Sequence, residues 1–238
     1  MYNETKEKFP GPFTDYETHV AGRTPFSYFL ELVWRVYGRD NDSDVRKQLS
    51  ETRSDCRNSN GRYALIPAVI VVIHVSDKRN KRKYYGASVS CIDRCKELLT
   101  LLSCRHDWHP DVQSAVMSVF PDREDNARQI QLRPDEVSCK AYDMQNIRVE
   151  IPPCKRCNQL YCLPNHTYHL NPPGNCAETE AISNLLKSEV NVVLEKTTIP
   201  EHQDAIKEEM RSYFKTNIKP KLKEANKYNI DHVYIPEN

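Results

Sequence analysis

The sequence predicts a layered α/β domain preceded by a helical N-terminal extension. Three observations carry that prediction. Short Val/Ile-rich runs alternate with stretches whose apolar residues recur at helical spacing, the pattern of strands joined by helices. The longest apolar run, residues 64–75, is dominated by Val, Ile and Ala, as in a strand buried on both faces. A chain of 238 residues is also long enough to bury a real core without disulfide staples.

Taken in order, residues 1–24 are polar, broken by Pro10, Gly11 and Pro12, and read as an irregular arm. Thr24-Pro25 opens a helix with proline at its first position. Phe26, Phe29, Leu30, Val33, Trp34 and Tyr37 then recur at helical spacing up to Gly38. Ser43 caps a second short helix to about residue 52, and 53–62 is a polar, basic loop. Residues 63–75 and 84–90 are strands of a hairpin whose tip is a charged turn. Helices follow at 91–102 and 111–120, whereas 121–143 has weak periodicity and reads as inserted. Residues 146–151 form a short strand stopped by Pro152-Pro153. The remaining elements are a helix at 177–188, a strand at 190–194, a helix at 202–214 with further turns at 219–227, and a strand at 232–235. This divides the chain into an extension, 1–60, and a main domain, 61–238, with an insertion near 91–145.

The 34 Lys and Arg against 33 Asp and Glu exclude a uniformly charged nucleic-acid or membrane binder and leave local patches open. Pro67 and His74 interrupt the longest apolar run, which is too short to span a bilayer, so no membrane partner is expected. The opening MYNETKEKFPGPF lacks the apolar core of a signal peptide, which points to an intracellular protein, cytoplasmic or nuclear. The sequons at Asn3, Asn41 and Asn165 then read as chance triplets. Nine cysteines in a reducing compartment raise metal binding or catalysis rather than a disulfide framework.

The informative segment is IPPCKRCNQLYCLPNHTYHLNPPGNCAETEAISNLL, residues 151–186. It holds Cys154-x-x-Cys157, then Cys162, His166 and His169, and finally Cys176-Ala177-Glu178. Two residues between cysteines let the backbone fold back so that both thiolates meet one tetrahedral Zn²⁺. A structural site closes with a fourth protein ligand; a catalytic site keeps that position for water.

Two motifs in this segment resemble the zinc-dependent cytidine and nucleic-acid deaminase superfamily. One is a strand followed by Pro-Cys-x-x-Cys, here IRVEIPPCKRC. The other is a ligand, a small residue and a Glu opening a helix, here GNCAETEAISNLL. The resemblance implies three layers, a central mixed β-sheet flanked by helices, with residues 63–90 as the first two strands. It implies Zn²⁺ held by Cys154, Cys157 and Cys176, with Glu178 as general acid/base. Zinc lowers the pKa of a bound water from about 15.7 towards about 7; the resulting hydroxide attacks the amino-bearing ring carbon, and the carboxylate carries the protons. In familiar members the ligand-x-Glu helix precedes the Pro-Cys-x-x-Cys unit, whereas here it follows. Cys91 and Asp93, just after the second strand, offer a version in the usual order.

Alternatives stand beside this reading. Cys162 or His169 can close a structural zinc site with the three cysteines, leaving Glu178 an acid that complements a helix dipole. Cys162, His166 and His169 can also line a pocket, hold a second metal or occupy surface loops. Cys95 and Cys104 fit a core, as does Cys91 otherwise; Cys56 and Cys139 need no function, and His74 fits a hydrogen-bonded core position. His106, Trp108 and His109 read as a loop with one buried aromatic. Lys78, Arg79, Lys81, Arg82 and Lys83, followed by Tyr84 and Tyr85, suit a single strand, whose phosphates need cations and whose bases stack. Residues 204–227, with seven Lys and Arg against four acids, add a second basic stretch. The expected function is hydrolytic deamination of a nucleobase, cytosine ahead of adenine, in a nucleoside or single-stranded nucleic acid. The competing expectation is a non-enzymatic zinc-stabilised binding or adaptor module.

Overall fold

The computed structural model describes residues 7–8, 20–37, 42–55, 66–76, 81–89, 94–199, 203–221 and 233–234. The fold is mixed α/β. Its centre is a four-stranded sheet built from β2 (Val69–Ser76), β3 (Lys81–Ala87), β5 (Val137–Asp143) and β6 (Glu150–Ile151), in the order β3-β2-β5-β6. Helices α1 (Pro25–Tyr37) and α2 (Asp42–Asp55) precede it, with β1 (Val20–Ala21) before them. Between β3 and β5 lie α3 (Arg94–His106), α4 (Pro110–Val119) and β4 (Ile130–Leu132). After β6 come α5 (Lys155–Tyr161), α6 (Ala177–Ser188), β7 (Val193–Lys196), α7 (Gln203–Tyr213) and β8 (Val233–Tyr234).

Strand β2 is apolar on both faces because both are covered. Ile70 and Val72 join Phe26, Leu30 and Val33 of α1 and Val45 and Leu49 of α2 in one core. Val71, Ile73 and Val75 face the other way, into a larger core with α3, α4, α6 and α7. Thr24 opens α1 as its sequence predicts: its hydroxyl accepts the Ser27 N–H at 3.1 Å, satisfying an amide with no partner within the helix.

Three expectations are corrected. The central sheet is antiparallel in all its described pairings, not mixed: β2–β3 and β5–β6 are neighbours in sequence, and β5 returns antiparallel along the far side of β2. Residues 137–143, expected within an insertion, supply β5, which lies in the sheet interior. Its alternation of Val137, Cys139 and Ala141 towards one face is the signal that the polar surroundings mask. The strand expected at 190–194 is displaced to Val193–Lys196 and leaves the central sheet, pairing with β4. The expected last strand forms as β8, pairs parallel with β1, and likewise lies outside it. The predicted helix 177–188 is present as α6, buried along most of its length.

The position of α6 depends on Gly86. A methyl group there would collide with the Ala177 carbonyl oxygen and the Ala181 amide nitrogen, and would lie 3.0 Å from Ala181 Cα. The missing side chain is what lets the helix lie flush on β3. Glu180, one turn into α6 and buried, fixes the same contact by accepting the Ala87 N–H at 2.8 Å and the Ser27 hydroxyl at 3.0 Å. Its other oxygen faces Arg23 at 2.7 Å. Gly86→Ala should therefore destabilise the protein by about 3 kcal/mol, because the obstacle is backbone and cannot change rotamer. Thermal unfolding should register this as a Tm lower by about 6–12 °C.

Candidate metal centre

Two helix starts bring three cysteines together. Pro152 and Pro153 lack N–H donors and end β6, so the chain turns directly into α5. Cys154 is the N-cap of α5, with φ −80° and ψ 167°, and Cys157 follows within its first turn. Cys176 is the N-cap of α6, with φ −81° and ψ 146°. Neither N-cap sulfur caps its own helix, so both remain available to a ligand.

Cys154 Sγ lies 3.6 Å from Cys157 Sγ and 3.4 Å from Cys176 Sγ, and the three sulfurs lie within 4.8 Å of one another. Tetrahedral coordination with Zn–S bonds of about 2.3 Å sets neighbouring sulfurs about 3.8 Å apart, so the spacing fits a soft metal ion at their centre. All three residues are buried. Among the described residues this is the one group of three or more His, Cys, Asp or Glu arranged to hold a metal.

The three thiols are electrostatically coupled. Hydrogen bonding with Cys157 and Cys176 pulls the Cys154 thiol well below its usual pKa. The same bonds to Cys154 push the Cys157 and Cys176 thiols up. A divalent cation reverses that preference, since coordination deprotonates thiols outright.

Glu178 is 5 % exposed, and burial raises its carboxyl pKa to about 7. It lies beside the cluster, two residues after Cys176 in the first turn of α6. It also lines a cavity of about 560 Å³ whose walls include Val137, Cys139, Ala141, Pro153 and Leu163. Glu178 thus lies beside the sulfur cluster and also lines the cavity. Glu180, two residues on, takes the opposite direction and is wholly engaged with β3 and α1.

The loop between α5 and α6 is fastened to the start of α5. The Lys155 N–H donates to the His169 carbonyl at 2.8 Å, and the Thr167 N–H to the Pro153 carbonyl at 2.8 Å. Arg156, between the two cysteines, is 1 % exposed and pairs with Asp122 at 2.7 Å. Its guanidinium also donates to the carbonyls of Arg123 at 2.9 Å and Asn171 at 3.4 Å. At the loop's far end Gly174 adopts φ +75°, and a methyl there would come within 2.8 Å of the Trp108 ring.

The remaining expected site residues are dispersed. Cys162 ends α5 in a left-handed conformation, φ 54°, and lines the cavity outside the three-sulfur group. His166 is exposed. His169 is exposed too, its Nε2 2.8 Å from Asn171 Oδ1. Lys78, Arg79, Cys56, Cys91 and Asp93 lie outside the described residues, as do the side chains of Lys81 and Cys95. Arg82 faces Glu189 at 2.9 Å, and Lys83 faces Asp42 at 3.1 Å. The Tyr84 hydroxyl donates to Glu189 at 2.5 Å and the Tyr85 hydroxyl to Asp42 at 2.8 Å. The described part of the hairpin therefore has internal acidic partners.

Of the other single residues, Trp108 is buried and Cys104 lies in the core, as expected. His109 Nδ1 accepts the Asp111 N–H at 3.2 Å. His74 departs from expectation: it is half-exposed and lies 3.2 Å from Asp42, because α2 brings that carboxylate over the sheet. In the second basic stretch Lys207 and Arg211 face Asp204 and Glu208 of their own helix. Sequence reasoning missed Arg156, Asn171 and Glu180. A basic residue between two cysteines reads as solvent-exposed, and nothing local announces Asp122.

Metal analysis of the purified chain should find about one equivalent bound, and Cys157→Ser should remove most of it and lower Tm, since binding free energy adds to folding free energy. Arg156→Met should cost about 1–3 kcal/mol in denaturant unfolding, because it leaves the Arg123 and Asn171 carbonyls without their donor, whereas exposed Asp122 turns to water.

No helix among the described residues is long and apolar enough to cross a membrane. No family model, no curated protein and no solved structure matches this chain.

Proposed function

We propose that this chain is a zinc-dependent hydrolytic deaminase of a nucleobase, cytosine-type ahead of adenine-type. The observation that carries the reading is the place of Glu178, between a three-cysteine cluster and a cavity large enough for a planar ring. Cys154, Cys157 and Cys176 would hold the zinc. When bound, the ion supplies Lewis acidity that lowers the pKa of a coordinated water towards about 7.

The chain's own residues supply the rest. Glu178 Oε takes one water proton and delivers it to the ring nitrogen, then takes the remaining hydroxyl proton and delivers it to the amine, so that ammonia leaves and a ring carbonyl remains. Burial favours the protonated carboxyl, while a nearby cation favours the carboxylate, so both forms are accessible to the same group. Val137, Ala141, Pro153 and Leu163 exclude water from the ring. A protein set of three sulfurs leaves a fourth tetrahedral position, which supports a catalytic over a closed structural site. The reversed motif order is also accommodated, because α6 packs beneath the β2–β3 hairpin although it follows α5 in the chain.

Single-stranded nucleic acid is the substrate form we favour over a free nucleoside. Lys78, Arg79 and Lys81 would supply its phosphate contacts, since Arg82 and Lys83 already face acids. Glu178→Gln should reduce ammonia release from a panel of nucleosides, single-stranded DNA and single-stranded RNA by about 10²–10⁴-fold, with metal content and Tm retained. Absence of release from every substrate by the folded, metal-loaded wild type would sink the enzyme reading. A zinc-stabilised binding or adaptor module would then replace it.

A further inference from the structure

We infer that Asn171 is a positioning residue of the metal centre, held in register by His169, and that it tunes the charge on Cys176. This rests on the reading of Cys154, Cys157 and Cys176 as metal ligands. Asn171 Nδ2 donates to Cys176 Sγ at 3.3 Å, and His169 Nε2 lies 2.8 Å from Asn171 Oδ1. An amide oxygen only accepts, so the imidazole Nε2 carries the proton in this pair. The result is a directed chain, from His169 N–H to Asn171 Oδ1 and from Asn171 N–H to Cys176 sulfur. His169 thereby selects the amide orientation that presents a donor, rather than an acceptor, to the ligand.

The backbone at both residues is fixed independently of these side chains. Lys155, the residue after Cys154, donates its N–H to the His169 carbonyl, and buried Arg156 donates to the Asn171 carbonyl. The amide is thus built into the same hydrogen-bonded loop that joins the two cysteine-bearing helix starts.

The chemical need is clear from charge. Three thiolates around a divalent cation leave one net negative charge in a buried site, which is costly without hydrogen-bond donors. An N–H donor on one sulfur offsets that charge. It also withdraws sulfur electron density from the metal, which strengthens the Lewis acid.

The test is cobalt(II) binding to the full-length chain, read by competition affinity and by the sulfur-to-cobalt charge-transfer band. Asn171→Leu should weaken binding about 10–100-fold and move the band to longer wavelength, because an unbonded thiolate is easier to oxidise. His169→Ala should move both in the same direction by less, and His169→Gln, which keeps a donor amide, should recover part of the loss. His169 is exposed, so its variants keep the test open where Asn171→Leu fails to fold. Unchanged affinity and band in folded Asn171→Leu, or in both His169 variants, would overturn the inference with the metal reading intact. A wild-type chain that takes up no cobalt overturns the metal reading itself, and this inference with it.

Discussion

Close approach of helix α6 to strand β3 is the constraint on which the rest of the molecule depends. The absent side chain at Gly86 removes a collision with the backbone of Ala177 and Ala181. The amide of Ala87, on the edge strand of the sheet, finds its acceptor in Glu180 of the same helix. These two contacts fix both the distance and the rotation of α6. Cys176 and Glu178 lie at its first turn, so their positions follow from a contact that neither makes. A helix start is a sound place for such residues, because its unpaired amides favour negative charge.

The second half of the site arrives by a different route. Helix α5 is short and begins where two prolines end β6, so its direction has little local support. Arg156 supplies that support from the interior, with the Asp122 carboxylate and two carbonyls around it. Desolvating a guanidinium is unfavourable unless its donors are satisfied, and here they are. The loop bonds from Lys155 and Thr167 then hold the residues leading to Cys176 against the start of α5. Two helices separated in sequence are thus tied together within a few residues of the sulfurs.

Glu178 and Glu180 show how one helical turn separates chemistry from structure. Both are 5 % exposed. Glu180 meets Arg23, a hydroxyl and a backbone amide, and is held by all three. Glu178 lies beside the sulfurs and lines a cavity, and burial raises its pKa. The same side chain, displaced by about 200° around the helix axis, becomes a structural anchor in one place and a proton carrier in the proposed chemistry in the other.

The sequence by itself determined the elements whose periodicity is strong: α1 from its Thr-Pro start, the doubly buried β2, and α6 with Cys176 at its cap. It also paired Cys154 with Cys157 through the Cys-x-x-Cys spacing, whereas Cys176 was linked to them only by the resemblance of Cys-Ala-Glu to a deaminase motif. It did not determine β5, whose alternating residues are embedded in polar sequence and gain their meaning only by pairing with β2. Nor did it determine that the basic hairpin strand faces Asp42 and Glu189, that His74 lies beside a carboxylate, or that Arg156 is interior. Each of those outcomes rests on a partner distant in the chain. Hydrophobic period and capping act over a few residues and are therefore written locally, whereas charge compensation, helix docking and the joining of two cysteine-bearing helix starts come into existence only when the chain folds.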